Sequence, residues 1–495
     1  MGRVPIVRRI GVAVGAAVLL AACSSPPAPP GAAPLPTERA PSSPSASPAP
    51  TAEPSPDPPA PLRTTPLVLA VHASQPPLDV PVDVAQRLLA GTVTDWADLG
   101  AAAAPLRVVA SPVVEEAAPA LWVSTNEAAI TAAQGDLGVI AVLPAPIVGP
   151  TLRVLSVGGV DPFRDPDAYA LTTAGVAPDS VVTMSFVGDL MLARGVGRVI
   201  EAAGDPAAPL RATADRLAAA DVTVGTLEST LSRIGPPTQG GDSFGADPVV
   251  REGLTLAGFD VLSLAANHLG DYGAESVVET VRLIREAGIV PAGGGADLAE
   301  AEAPAIIERN GTTIGVLAFN AIGETPRAAP GVPGALEVRM GSRTGPLVPA
   351  DVSAMQDRVR ALDQQVDLVV VMPHWGTQYQ HEPEGDQRIV GRAMIDAGAD
   401  LVVGGHPHWV QGVEWHAGSM IAHSLGNYVF DMDFQVKTME GAILDVTLWD
   451  GEVKAATFAP IRMDASFTPR EISYPDGASV VDGIWGSSLP PFARP

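Results

Sequence analysis

Between residues 181 and 409, short apolar runs alternate with amphipathic stretches, and most of the runs end in a residue able to bind a metal or move a proton. "VVTMSFVGD", "DVTVGTLE", "FDVLSLAANH", "TTIGVLAFN", "DLVVVMPHWG" and "DLVVGGHPHW" follow one another, separated by segments such as "RGVGRVIEAAG", "DPVVREGLTLAG", "GAESVVETVRLIREAG" and "DQRIVGRAMIDAG". Apolar runs of strand length without polar alternation predict strands covered on both faces, and the intervening segments predict surface helices. The result is a layered α/β fold. After Ser419, "GAILDVTLW" and "EVKAATFAPIRM" predict hairpin strands of a mixed sheet. No internal repeat is visible.

Polar residues fall where such folds place their chemistry. Asp189, Glu228, Asn267 with His268, His374, and His406 with His408 each follow an apolar run, and the carboxyl ends of strands are where α/β folds carry ligand and catalytic groups. Singly, each has an ordinary explanation: Asp189 as a helix cap, Asn267 in a turn, His374 packed beside Trp375. As a set they offer carboxylate, amide and imidazole donors suited to Mn²⁺, Zn²⁺ or Fe²⁺. Two adjacent cations would need a bridging carboxylate, for which Glu228 is the candidate. The spacing of His406 and His408 on an irregular loop lets the two rings serve different cations.

Seven stretches, "FVGDLMLARG", "GTLESTLS", "SLAANHLGDYG", "GGGADLAEAEAPAIIERNGTTIGVLAFN", "VVVMPHWGTQY", "GADLVVGGHPHWVQGVE" and "HSLGNYVFD", together resemble the bacterial capsule and poly-gamma-glutamate synthesis accessory family of CapA type, over roughly residues 181 to 435. That family is related in fold to calcineurin-like metallophosphoesterases. The resemblance implies an α/β/β/α metallophosphoesterase-like sandwich, with Asp189 and His408 at a first metal site, Glu228 bridging, and Asn267, His374 and His406 at a second. It further implies His268 as a catalytic residue aiding the leaving group, with Asp271 orienting it. One or two divalent ions follow as cofactor. Met191 stands where ordinary metallophosphoesterases have the histidine of Asp-x-His, so the first site is short of a ligand, and one metal or two of unequal affinity are expected. "GTLE" also replaces the commoner N-L-E form, keeping the acid but not the amide.

Other candidates carry less. Asn427 and His423 in "IAHSLGNYVFD" are placed near the site, as shaping or substrate-contacting residues, and His381 on a polar loop over the cleft. Gly293 to Gly295 lack a Walker lysine and read as a loop needing permissive backbone angles. The serines of "GTLESTLS" have no partner for serine hydrolase chemistry.

The amino-terminal region divides differently. Residues 1–22, with Arg3, Arg8 and Arg9 ahead of an apolar run ending in "LLAA", read as a secretory signal. The single cysteine, Cys23, follows in a context resembling the lipobox of bacterial lipoproteins, implying a lipid anchor on the outer face of the cell membrane; it also leaves no intrachain disulfide. Residues 23–65 are rich in proline, serine and alanine and read as an extended tether. Residues 66–175 predict a small α/β domain. Within it, "DVAQRLLAGTVTDWADLG" and "AAQGDLGVIAVLP" resemble pieces of phosphate-type periplasmic binding proteins, too short for a complete two-lobed receptor. Residues 179–475 make the large domain and 476–495 a tail.

Removing residues 1–22 takes away three arginines and no acid, leaving 27 basic against 55 acidic residues, a net charge of −28. Such a balance argues against nucleic acid as a partner. The expected partners are instead an envelope polymer or a small phosphoester, and the membrane through Cys23. The function these readings favour is an exported, surface-anchored, metal-dependent hydrolase of capsule or poly-gamma-glutamate synthesis, cleaving a phosphoester or a gamma-glutamyl amide. The alternatives are a noncatalytic polymer-binding or anchoring factor, and a solute receptor built on the small domain.

Overall fold

The computed structural model describes residues 64–341 and 343–495. The segments expected as an export signal and a proline-rich tether, with Cys23, lie outside the described residues. The described residues form one compact unit.

Its first part is a five-stranded sheet of β1 (Thr64–His72), β2 (Arg107–Ala110), β3 (Val139–Pro144), β4 (Leu152–Val154) and β5 (Thr172–Ala174), in the order β2-β3-β1-β4 with β5 also on β1. Alternate residues of β1 face opposite sides, as a pleated strand requires. Leu67, Leu69 and Val71 pack with Val84, Ala85 and Leu88 of helix α1 (Val82–Leu89) and with Trp96. Val68 and Ala70 pack with Ala129 and Ala133 of helix α2 (Asn126–Gly135).

The larger part holds two further sheets. In the first, β6 (Val181–Leu190), β7 (Val222–Leu227), β8 (Val261–Ser263) and β9 (Val290–Ala292) run parallel. In the second, β10 (Ala305–Arg309) lies antiparallel to β11 (Thr312–Asn320), which runs parallel to β12 (Leu368–His374) and β13 (Leu401–Val403). The second sheet continues through β15 (Ser419–Ala422), parallel to β13, to an antiparallel edge strand, β14 (Val413–His416). On the edge of β6 away from β7, the first gains β16 (Asn427–Val429) beside the end of β6 and the antiparallel run β17 (Glu440–Trp449), β18 (Glu452–Met463) and β19 (Pro469–Glu471) beside the rest of it. The expected hairpin of a mixed sheet is therefore present.

The two sheets face each other. Met184, Phe186, Val222 and Val224 of the first meet Val316, Ala318, Val370, Met372 and Leu401 of the second in one buried cluster. On the outer side of the first, Val187, Leu227 and Leu262 pack against helices α3 (Arg194–Ala203), α4 (Arg211–Ala218), α5 (Arg251–Leu256) and α6 (Ala274–Glu286). On the outer side of the second, Leu317, Phe319, Val369 and Val371 pack against α7 (Pro349–Asp363) and α8 (Gly385–Ile395). Both faces of each sheet are covered, which explains why the strands read as unbroken apolar runs. This is a mixed α/β architecture in layers.

Three local readings differ from the sequence. Asp189 lies inside β6, opposite Thr226 and Asn427, and the cap of α3 is Ala193, so Asp189 is not a helix cap. Gly294–Gly295 forms a short buried strand against Gly334–Ala335 rather than an open loop, although Gly293 does have φ +78°. The segment expected as a tail folds as α9 (Ala478–Gly486), and Trp485 and Phe492 enter the cluster between the sheets.

Candidate metal centre

The parallel strands of both sheets end at one edge, and the polar residues meet there. The first sheet brings Asp189 in β6, Glu228 just beyond β7, and Asn267 in the loop after β8. The second brings His374, the last residue of β12, and His406 and His408 beyond β13. Asp189, Glu228 and His408 form one group of potential ligands, and Glu228, His374 and His406 another, so Glu228 belongs to both. Asn267 joins through its amide oxygen, 2.9 Å from His374 Nε2.

Distances within the cluster are short. His374 Nε2 lies 3.6 Å from Glu228 Oε1, and His374 Nδ1 lies 3.9 Å from Asp189 Oδ1. His408 Nδ1 lies 3.7 Å from Asp189 Oδ2, and the His406 backbone amide donates to that same oxygen at 3.0 Å. Gly405 makes room: a Cβ there would lie 2.5 Å from Asp189 Oδ1. His406 and His408 have φ of +93° and +58°, a region that side chains other than glycine rarely occupy. Such strain persists only where surroundings enforce it, and it gathers at functional sites.

All six residues are buried, none more than 2% exposed. Among the described residues, Asp189 Oδ1, both carboxylate oxygens of Glu228, His374 Nδ1 and both ring nitrogens of His406 have no hydrogen-bond partner. Each such group costs about 1–3 kcal/mol if nothing meets it. Burial, reinforced by the charge of Glu228, pushes the Asp189 carboxyl up to about 8, and burial pushes Glu228 up to about 8. Burial also lowers His408 to about 3, lowers His374, and takes His406 well below the usual imidazole value. Neutral imidazoles and carboxylates that are costly to ionise are the donor set that a divalent cation would convert into ligands. The residues present fit such a cation.

The surrounding bonds set directions. Asn427 Nδ2 donates to the Thr438 carbonyl at 2.9 Å, which leaves its Oδ1 to accept from His408 Nδ1 at 2.9 Å. His408 Nδ1 therefore carries the proton and Nε2 keeps its lone pair. His268 Nδ1 lies 2.8 Å from Asp271 Oδ2, and its Nε2 lies 4.0 Å from Glu228 Oε1. The Asp271 carboxylate is held in turn by the Phe244 amide at 2.6 Å and the Gln239 side chain at 2.6 Å. The Phe244 ring stacks on His268 with centroids 3.7 Å apart, and the Arg194 guanidinium lies over the Phe244 ring, 4.3 Å from its centroid. Arg194 is paired with Asp431.

Met191 is buried, packs with the outer cluster of the first sheet, and its sulfur accepts the Ala193 amide at 3.1 Å. His423 stays outside the cluster, buried against Trp375 and 3.6 Å from the Glu414 carboxylate. His381 is half-buried and bonded to the Val410 carbonyl at 2.7 Å, so its ring is held by the fold. Phe244, Glu324, Gln378 and Tyr379 border the site without having been singled out. They lie on loops, where no periodicity marks them; of these, only Gln378 and Tyr379 fall in a stretch quoted for its resemblance.

Comparison with known proteins shows the family to which the chain belongs. The family model described as bacterial capsule synthesis protein PGA_cap matches residues 183–432. The chain is 30% identical over 307 residues to the PGA biosynthesis protein CapA of Bacillus subtilis (strain 168), covering 58% of this chain and 76% of that protein. It is 30% identical over 301 residues to the capsule biosynthesis protein CapA of Bacillus anthracis, covering 59% of this chain and 71% of that protein. A solved structure of a hypothetical protein from Thermus thermophilus aligns with a TM-score of 0.33 at 14% identity, over 56% of this chain and 98% of that one. With a family model matching half its length and relatives of this identity, the chain belongs to the bacterial capsule synthesis protein PGA_cap family.

Proposed function

We propose that this protein is a metal-dependent hydrolase of envelope-polymer synthesis, built on a metallophosphoesterase-like sandwich and carried outside the cell on a lipidated Cys23. The observation that carries this reading is the buried cluster at the shared edge of the sheets, where two carboxylates, an amide and three imidazoles converge with half of their polar atoms unpartnered. Asp189, Glu228 and His408 would hold one cation, and Glu228, Asn267, His374 and His406 a second. A divalent cation bound there supplies Lewis acidity and lowers the pKa of a coordinated water.

The chain's own groups do the rest. His268, held at Nδ1 by Asp271, presents Nε2 toward Glu228 and is placed to move a proton at that atom to or from a departing oxygen or nitrogen. The stacked Phe244 fixes the plane of the ring. The substrate is a phosphoester or a gamma-glutamyl amide, both of which develop negative charge at the reacting centre. Names of relatives that refer to PGA or capsule biosynthesis support an envelope polymer as the partner.

A noncatalytic polymer-holding role is the second reading, favoured by Met191, whose sulfur is spent on the Ala193 amide. Export and anchoring rest on residues 1–23. Among the described residues, no helix is long and apolar enough to cross a membrane.

The test is metal analysis of the purified full chain, followed by assays with phosphoesters and gamma-linked glutamate chains. Stoichiometric metal and metal-dependent turnover are expected, both lost when His406→Ala and His408→Ala are combined. Unchanged uptake by that variant would reject the centre; polymer retained without turnover would select the noncatalytic reading.

A further inference from the structure

A side-chain amide can face a metal with either end, and only its oxygen is a useful ligand. Asn267 Nδ2 donates to Glu324 Oε2 at 2.7 Å. An ionised carboxylate accepts hydrogen bonds and cannot donate them, so the nitrogen of Asn267 must be the end that meets it. Its oxygen is thereby turned toward His374 and the cluster. Arg343 pairs with the other oxygen of Glu324, so the chain Arg343–Glu324–Asn267 runs from a partly exposed guanidinium to the buried centre. Glu324 belongs to neither group of potential ligands, which separates it from the metal-binding residues themselves.

The loop bearing Glu324 is strained and tied down. Gly323 has φ +81°, which suits glycine, but Glu324 has φ +67°, which does not suit a glutamate. Asn320 Nδ2 holds the Gly323 carbonyl at 2.9 Å, and Asn320 Oδ1 accepts the Ile322 amide at 2.8 Å. On the far side, the Thr325 hydroxyl accepts the Gly270 amide at 2.9 Å and faces the Ala266 and Asn267 carbonyls at 3.0 and 2.9 Å. Glu324 is thus flanked by a turn held within residues 320–323 and by Thr325, which clamps the loop that carries Asn267 and His268. Strain of this kind is retained where the side chain is needed in one place.

We infer that Glu324 is a positioning residue of the centre, fixing Asn267 so that its amide oxygen faces the metal. This rests on the metal reading proposed above. Glu324→Gly removes the carboxylate while suiting the backbone; Glu324→Gln keeps an oxygen that can still accept from Asn267. The measurement is Mn²⁺ affinity by competition with a chromogenic chelator, together with thermal unfolding of the metal-free proteins.

Glu324→Gly should bind Mn²⁺ about 10–100-fold more weakly than the parent with its metal-free unfolding midpoint not lowered. Glu324→Gln should recover most of the affinity. In an Asn267→Ala background, Glu324→Gly should cause no further loss, because the group it positions is gone. Parent-like affinity in Glu324→Gly, or losses that simply multiply in the double variant, would overturn the role. A parent protein that takes up no Mn²⁺ at all would overturn the centre and this inference together, an outcome distinct from either of those.

Discussion

His406 departs furthest from ordinary backbone geometry among the residues of the centre, at φ +93°, and both of its ring nitrogens are buried without partners. Were it ordinary packing, replacing it would leave a cavity and cost several kcal/mol. As a metal ligand it carries strain and unmet polar atoms that the metal-free fold would shed. His406→Gly should therefore keep the unfolding free energy of the metal-free protein within about 1 kcal/mol of the parent while removing metal uptake. A loss above about 3 kcal/mol in chemical denaturation would return this residue to the role of a packed core side chain. The candidate ligands were legible because each follows an apolar run, which needs only local reading. Phe244, Glu324 and Asn427's grip on His408 were not, because each acts across a gap in sequence, Glu324 reaching Asn267 over 57 positions. The Met191 departure was legible, but what the sulfur does instead was not, since its donor is a backbone amide.

Elements were readable where burial on both faces leaves an unbroken apolar run, as in β12, and where a helix ends on glycine, as α3 does at Gly204 with φ +61°. The long connection between β11 and α7 was not readable, since its order comes from ion pairs. Asp351, in the first turn of α7, accepts from Arg339 Nε at 2.7 Å and from Arg327 Nη2 at 3.1 Å, fastening that connection on both sides of the Gly334–Ala335 strand. Burial opposes ionisation of Asp351, but the two guanidinium groups outweigh it and hold the carboxyl down to about 2. A carboxyl whose pKa is depressed by folding stabilises the fold above its ordinary value near 4, and the contribution disappears as pH falls through about 2. Asp351→Asn should cost about 2 kcal/mol at neutral pH, with the difference from the parent shrinking between pH 4 and about 2. Denaturation curves at several pH values measure this; a gap independent of pH would mean that the carboxylate charge is not what holds the connection.

At the scale of the whole molecule, the small sheet does not stand apart. Trp449 at the end of β17 packs with Val68, Ala70 and Phe163 of the first region and donates its indole N–H to the Phe163 carbonyl at 2.8 Å. Arg153 of β4 donates to the Tyr474 hydroxyl at 2.5 Å. These partners lie hundreds of residues apart, so composition and motifs gave two folded regions but no view of their seam. Trp449→Ala should cost about 3–5 kcal/mol and make the segment near residue 176, where Val176 is exposed, a preferred site of limited proteolysis. Cleavage no faster than in the parent would show that the seam holds without the indole.

The centre takes its carboxylates from one sheet and its imidazoles from the other. A cation seated there would act as a rivet through two plates whose facing surfaces are largely oily. Loading and stripping the ion would then set how freely the plates slide, and amide exchange deep in β6 and β12 would slow or quicken accordingly.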